Sequence, residues 1–308
     1  MAQSLPDHPH HRVIILANPT KPQVAKALQT LRPWLAKRSH IVAEPDIRQL
    51  NRQTVGTLLP PADLAIVLGG DGTLLSQARQ LVDLNIPMLG VNFGKVGFLA
   101  EFFLQDVIDH WDAIAAGKCR ISQRIMLDCQ VYAQGAPEWG DSDVPMPQPI
   151  FHAVAMNDAV ITAGPPYRMV ELELAIEPET TRSSATTIAG DGVIVATPSG
   201  STAYNLSAGG PIVSPGLEAL CISAIAPQSI AFRPIVFNAS SDVWFTVLRA
   251  NAGTELVLDG QESCRLEAGQ QVLVKKHERT LRLVHNPSLN YWALVSKKMH
   301  WAARPSQA

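Results

Sequence analysis

The sequence predicts an α/β domain followed by an all-β domain. Two observations carry this. Apolar strand-like runs alternate with helix-like segments over roughly the first 118 residues, and clean period-two alternation replaces them afterwards. A third observation, a helix-like stretch near the end of the chain, predicts a return to the first domain. The chain has 308 residues, 46% of them hydrophobic, which is enough for two cores. The expected division is 1–118, rejoined by about 286–308, against 119–285.

The elements follow in order. VIILAN (13–18) reads as a short buried strand. Residues 22–38 are amphipathic, with Val24, Leu28, Leu31 and Leu35 at helical spacing, and Pro33 is expected to kink or split that helix. IVAEP (41–45) and LAIVL (64–68) read as strands, residues 73–83 as a helix, and PMLGVNF (87–93) as a further strand. Residues 104–117 read as one helix closed by Gly117. Continuous apolar strands between helices predict a parallel sheet covered on both faces.

From 121–133 to 281–285 the signals are mostly strands, predicting a sandwich or barrel. MVELELAIE (169–177) puts Val170, Leu172, Leu174 and Ile176 on one face. Residues 134–149 and 178–187 read as loops, and 288–299 as the closing helix.

Composition excludes several classes. A net charge of −2 gives no basis for nucleic-acid or polybasic membrane binding. No apolar run reaches the roughly 18 residues of a membrane span, and the N-terminus lacks the apolar region of a signal peptide. Cys119, Cys129, Cys221 and Cys264 show neither CxxC nor zinc spacing, so reduced thiols in a cytoplasmic protein are expected. His8, His10 and His11 are a set that could catch a metal, but so near a terminus they read as a flexible polar tail.

Three stretches carry chemistry. GGDGT (69–73) closes the LAIVL strand. Its glycines can turn backbone N–H groups into one concavity, and the following helix adds the positive end of its dipole, which suits phosphate. An acid there, Asp71, makes sense if it meets a divalent cation or takes a proton from an attacking hydroxyl. The other reading is a tight turn with Asp71 as N-cap and Thr73 as a second cap candidate. AGDGVIVATPSGSTAYNLSAGGPIV (189–213) concentrates glycines with Ser, Thr, Tyr and Asn around one acid, Asp191. That composition fits recognition of ribose hydroxyls and an amide-bearing base, or an ordinary polar loop. AVAMNDAVITA (153–163) reads as a strand with Asn157-Asp158 in its middle, a pair suited to ribose hydroxyls or an amine. A bulge or strand end is the alternative.

On these residues the chain resembles the NAD kinases. The resemblance rests on GGDGT, NFGKVGFLAEF (92–102), Asn157-Asp158, GDGVIVATPSGSTAYNLSAGGP (190–211), RPIV (233–236), LDGQ (258–261) and NYWALVSKKMHW (290–301). GGDGT alone also occurs in diacylglycerol and sphingosine kinases; the ATPSGSTAYNLSAGGP block is the specific part. The resemblance implies a Rossmann-like first domain and a β-sandwich second domain. The reaction it implies is transfer of the terminal phosphoryl group of ATP, or of polyphosphate, to the 2′-hydroxyl of the adenosine ribose of NAD or NADH. It makes Asp71 the proton acceptor. It assigns donor phosphates to Gly69, Gly70, Gly72 and Thr73. It assigns NAD contacts to Asp71, Gly72, Asn157, Asp158, Arg168, Asp191, Thr202, Ala203, Tyr204, Asn205, Leu206, Ser207 and Gln261. It further implies Mg²⁺ or another divalent cation carried on substrate phosphates near Asp71, and a homodimer or homotetramer.

Two positions depart from the family. Asp158 stands where its members usually have Glu, one methylene longer. Ala189 replaces a larger polar residue found in some relatives, which would loosen discrimination between NAD and NADH. A lipid kinase of the diacylglycerol type shares GGDGT but should lack the STAYN block. A non-catalytic NAD(P) sensor on the same fold would have no need of Asp71 among its glycines.

Overall fold

The computed structural model describes residues 11–137, 145–177 and 184–299. They form two compact units: residues 11–123 with 281–299, and residues 124–280.

The first unit is built on a six-stranded sheet. Strands β1 (Arg12–Ala17), β2 (His40–Ala43), β3 (Leu64–Leu68), β4 (Met88–Val91) and β5 (Ile121–Arg124) come from its first segment. The spatial order is β2-β1-β3-β4, then the chain's last strand, Leu281–Val284, then β5. The β1–β2, β1–β3 and β3–β4 pairs and the pair of the last strand with β4 are all parallel. All five residues of β3 are buried, as expected of a parallel strand covered on both faces. Ile15, Ile66, Leu68 and Val91 pack with Leu28, Leu31 and Leu35 of the helix Pro22–Leu35, and with Val107, Trp111 and Ile114. Fully burying each such side chain contributes roughly 1.5–3 kcal/mol.

Several expectations need correction here. Pro33 does not split its helix: it sits in the last turn, so only one helical hydrogen bond is lost, and the helix ends at Leu35. Residues 104–117 form two helices, Leu104–Asp109 and Trp111–Ala115, broken at His110 (φ −102°, ψ 7°). His11 is not a free tail residue. It is 5% exposed, and its carbonyl accepts the His40 N–H. His8 and His10 lie outside the described residues. Strand β5 and the strand Leu281–Val284, read from sequence as part of the all-β region, belong to the first unit's sheet, because their hydrogen-bonding neighbours are there. The closing helix spans Tyr291–Met299, and its Tyr291 packs against Phe98 of the same unit.

The second unit holds twelve strands: β6 (Leu127–Tyr132), β7 (Phe151–Ala155), β8 (Asp158–Thr162), β9 (Val170–Ile176), β10 (Thr186–Gly190), β11 (Gly192–Ala196), β12 (Ala219–Ile225), β13 (Ile235–Asn238), β14 (Val243–Arg249), β15 (Glu255–Leu258), β16 (Glu262–Arg265) and β17 (Gln271–Lys276). They make two antiparallel six-stranded sheets, β10-β9-β14-β17-β6-β7 and β13-β12-β11-β8-β15-β16. One core lies between them, drawn from Leu127, Leu172 and Phe245 of one sheet and Ile161, Val195, Ile222 and Leu256 of the other. The unit is therefore a β-sandwich. The 134–149 loop lies partly outside the described residues, at 138–144; of the expected 178–187 loop, 178–183 lie outside them, and Thr186 and Thr187 instead begin strand β10, paired with β9.

Candidate active site

In the first unit, GGDGT carries the chain from β3 into the helix Asp71–Leu81. Gly70 is the N-cap, and no side chain caps the helix. Asp71 is thus the first helical residue rather than its cap, and Thr73 caps nothing. The Thr73 side chain instead packs on Gly69, where an added Cβ would lie 2.5 Å from its hydroxyl oxygen. Gly69 donates its N–H to the Val91 carbonyl.

The Asp71 carboxylate, only partly buried, is gripped by three successive amides. Phe98 N–H donates to Oδ2 at 2.8 Å, and Leu99 and Ala100 N–H donate to Oδ1 at 3.1 and 2.9 Å. Gly97 allows this approach: a Cβ there would stand 1.8 Å from Oδ1. The start of an eleven-residue helix places positive dipole charge beside the same anion. The loop is fixed one residue further on. Buried Glu101 has His285 Nδ1 2.8 Å from one carboxylate oxygen and the Asn286 N–H 3.0 Å from the other. His285 Nε2 is 2.7 Å from Ser122 Oγ. Asp71 is therefore a rigidly oriented carboxylate at a helix start.

In the second unit, Asn157-Asp158 does not lie in the middle of one strand. Strand β7 ends at Ala155 and β8 begins at Asp158, in the other sheet, so residues 156 and 157 form the crossing. Their amides leave the ladder and bond to a carboxylate. Asp259 accepts from Met156 N–H at 2.9 Å and, through its other oxygen, from Asn157 and Asp158 N–H at 2.7 and 3.1 Å. Asp259 sits in the left-handed region at φ 52°. On the other side, the Asn157 carbonyl accepts the Thr197 N–H, and a Cβ on Gly200 would lie 2.0 Å from that carbonyl oxygen. Gly200 thus brings the STAYN segment against the crossing.

A cavity of about 370 Å³ opens here, lined among others by Asn157, Asp158, Ala203, Tyr204 and Asp259. Tyr204 is 46% exposed, so its ring is available for stacking. Asp158 is 5% exposed. Burial, and second the neighbouring Asp259 carboxylate, push its acid up to about 7. Asn157 Oδ1 is buried without a hydrogen-bond partner.

Other sequence-predicted residues lie elsewhere. Thr202 is partly buried in a 3₁₀ turn, Gly200–Thr202, and Leu206 and Ser207 lie in the single helical turn Tyr204–Ser207. That turn is only four residues long. Asn205 is wholly buried, and its amide is consumed by the fold: Nδ2 donates to the Ser201 and Pro211 carbonyls, and Oδ1 accepts from Ser223. It orders the segment and offers a ligand no polar side-chain atom. Asp191 is exposed between β10 and β11. Arg168 is exposed on a different cavity, of about 550 Å³, with Arg249 and Asn251. Gln261 is exposed just past Gly260. Gly72 is exposed on the first turn of its helix.

Sequence reasoning missed Asp259, Gly97 and the 98–100 amides. Their signals were present: LDGQ repeats the acid-glycine pairing of GGDGT, and NFGKVGF spaces glycines near a second turn. Among the described residues no group of three His, Cys, Asp or Glu side chains could hold a metal ion, and no helix is long and apolar enough to cross a membrane. A single carboxylate at Asp71 fits a cation that arrives on substrate phosphates, the usual mode for Mg²⁺.

Comparison with known proteins gives a consistent result. Residues 58–119 match the ATP-NAD kinase N-terminal domain and residues 156–286 the ATP-NAD kinase C-terminal domain. The chain is similar to the NAD kinase of Chromobacterium violaceum, 35% identical over 302 residues, covering 95% of this chain and 97% of that protein. It is 38% identical over 297 residues to the NAD kinase of Geobacter metallireducens, covering 95% and 99%. Its fold is similar to yeast NADH kinase complexed with NADH (TM-score 0.79, 20% identity, 100% of this chain and 94% of that one). It is also similar to an NAD kinase from Archaeoglobus fulgidus in complex with ATP (TM-score 0.68, 22% identity, 94% and 98%).

Proposed function

The chain belongs to the NAD kinase family of enzymes, and from that premise we propose how it works. It transfers the terminal phosphoryl group of ATP to the 2′-hydroxyl of the adenosine ribose of NAD, giving NADP. Asp71 is the general base. The observation that carries this reading is the grip of three amides on Asp71 at a helix start, which fixes one carboxylate in one direction.

In the step, the ribose 2′-oxygen forms a bond to the terminal phosphorus, the bridging P–O bond breaks, and ADP leaves. The hydroxyl proton passes to Asp71. Gly69, Gly70, Gly72 and Thr73 bring the helix start and its dipole to the donor phosphates. A divalent cation such as Mg²⁺, touching Asp71, would neutralise charge on those phosphates. The 370 Å³ cavity takes part of the dinucleotide, with Tyr204 stacking on a base and Ala203 as an apolar wall. The unpaired Asn157 Oδ1 is a ready acceptor for a ribose hydroxyl. A protonated Asp158 donates a hydrogen bond where an ionised one accepts. Thr202, Leu206, Ser207, Asp191, Arg168 and Gln261 remain candidate contacts along the rest of the dinucleotide.

We also read the protein as a cytoplasmic homodimer or homotetramer. All four cysteines are free, the edge strand β13 exposes Ile235 and Val236, and Ile230, five residues before that strand, is 94% exposed. The test is an endpoint assay of purified protein with NAD or NADH, ATP or polyphosphate, and Mg²⁺, reading NADP or NADPH with a specific dehydrogenase. NADP from NAD and ATP is the expected result. No product from any combination, with protein that melts cooperatively, would overturn the reading.

A further inference from the structure

A cavity of about 850 Å³ lies in the first unit between the closing helix Tyr291–Met299 and the loop around residues 95–103. Its walls divide by chemistry. Lys95, Lys297 and Lys298 supply three cationic side chains; Phe98, Phe103 and Leu294 are among its apolar walls. Among the described residues, no acidic one lines it. Phe98 belongs to both places: its backbone N–H donates to Asp71 Oδ2, and its ring, with Lys298 Nζ 5.1 Å from the ring centroid, lines the cavity.

We propose that this cavity binds the phosphoryl donor as a nucleoside triphosphate, with its phosphates on the three lysines and its base against Phe98, Phe103 and Leu294. The proposal rests on the kinase reading above and adds residues that the GGDGT turn does not supply. A polyanion needs several cations, and GGDGT contributes amides and one carboxylate. A planar base needs an apolar or aromatic wall. This cavity offers both, one residue from the base that must face the terminal phosphate. Inorganic polyphosphate shares the phosphate chemistry but has nothing to place on the phenylalanines, so the two donors can be told apart.

The experiment compares full-length wild type with Lys297→Ala/Lys298→Ala and Phe103→Ala. Lys26→Ala/Lys37→Ala, two exposed lysines elsewhere in the same unit, serves as a control of equal charge. Binding of a non-hydrolysable ATP analogue and of inorganic tripolyphosphate is measured by calorimetry, alongside KM for ATP and for NAD. The lysine pair is expected to weaken both ligands by about tenfold or more and to raise KM for ATP, leaving KM for NAD and the control unchanged. Phe103→Ala is expected to weaken the nucleotide but not tripolyphosphate. If the lysine pair binds the analogue as wild type does, or if the control loses as much, the donor site is not here. The binding arm needs no turnover, so it decides this proposal even where NADP formation fails.

Discussion

Each unit of the molecule contains an aspartate whose carboxylate is held by three consecutive backbone N–H groups. Asp71 takes those of residues 98–100, and Asp259 those of residues 156–158. The device is the same; the surroundings differ. Asp71 stands at the start of a helix, in a field that favours its charge. Asp259 stands next to a second acid, Asp158, which is buried and raised to about 7. One clasp presents an anion. The other fixes a chain crossing and leaves its neighbour close to protonation. Amide clasping alone therefore does not define a catalytic acid; what lies beside the clasped group decides its role.

The sharpest way to break the comparison is Asp71→Asn. As a general base, Asp71 should cost about 10²–10⁴-fold in kcat when replaced, while Tm falls by only a few degrees, because Asn Oδ1 still accepts on one side of the clasp and Nδ2 cannot accept on the other. Activity within about tenfold of wild type would make Asp71 a second structural clasp like Asp259. Next is Gly97→Ala, whose Cβ would intrude on Asp71 Oδ1. Shifting the carboxylate by about an ångström should lower kcat by roughly 100-fold. Gly94→Ala, with open space around it, should leave kcat near wild type. Equal kcat for the two variants would show that the Asp71 orientation is not tightly required.

Asp259→Ala tests the other clasp. Three amides lose their acceptor, at about 1–3 kcal/mol for each buried one left unpaired, so a scanning calorimeter should record a fall of roughly 5–10 °C in Tm. An unchanged Tm would mean that water replaces the carboxylate. The smallest effect concerns Asp158. Its acid holds a proton longer in the fold than in the unfolded chain, so its contribution is present at low pH and fades as pH rises through about 7. Asp158→Asn does not titrate. Its Tm relative to wild type should climb by a few degrees between pH 5 and pH 8. A constant difference across that range would remove the special environment claimed for Asp158.

Much of this was legible in the sequence because it depends on local pattern. The five buried residues of β3 and the alternation of β9 follow from apolar spacing, and GGDGT is visible as a break after an apolar run. The family, too, is written in short motifs. What stayed hidden depends on contacts between distant residues. Nothing near Asp71 names its partners 27–29 positions away, and nothing near Asn157 names Asp259 about 100 positions on. Apolar residues on both sides of Asn157-Asp158 concealed the crossing at residues 156–157, because the flanking ends of both strands are buried. Asn205 looked like a ligand-facing amide for a related reason: polarity in a glycine-rich stretch does not say whether the group faces a ligand or the backbone.

The placement of the strand Leu281–Val284 has a consequence for how the protein is made. It is the parallel neighbour of β4, yet almost 190 residues of chain separate the two. On the ribosome, β4 emerges with one apolar edge bare and stays so while the whole sandwich is synthesised. The sandwich is one continuous segment and can fold as it appears, whereas the first unit waits for its last strand. A nascent chain stalled before residue 281 therefore carries an unfinished sheet, the point at which a chaperone would have most to hold.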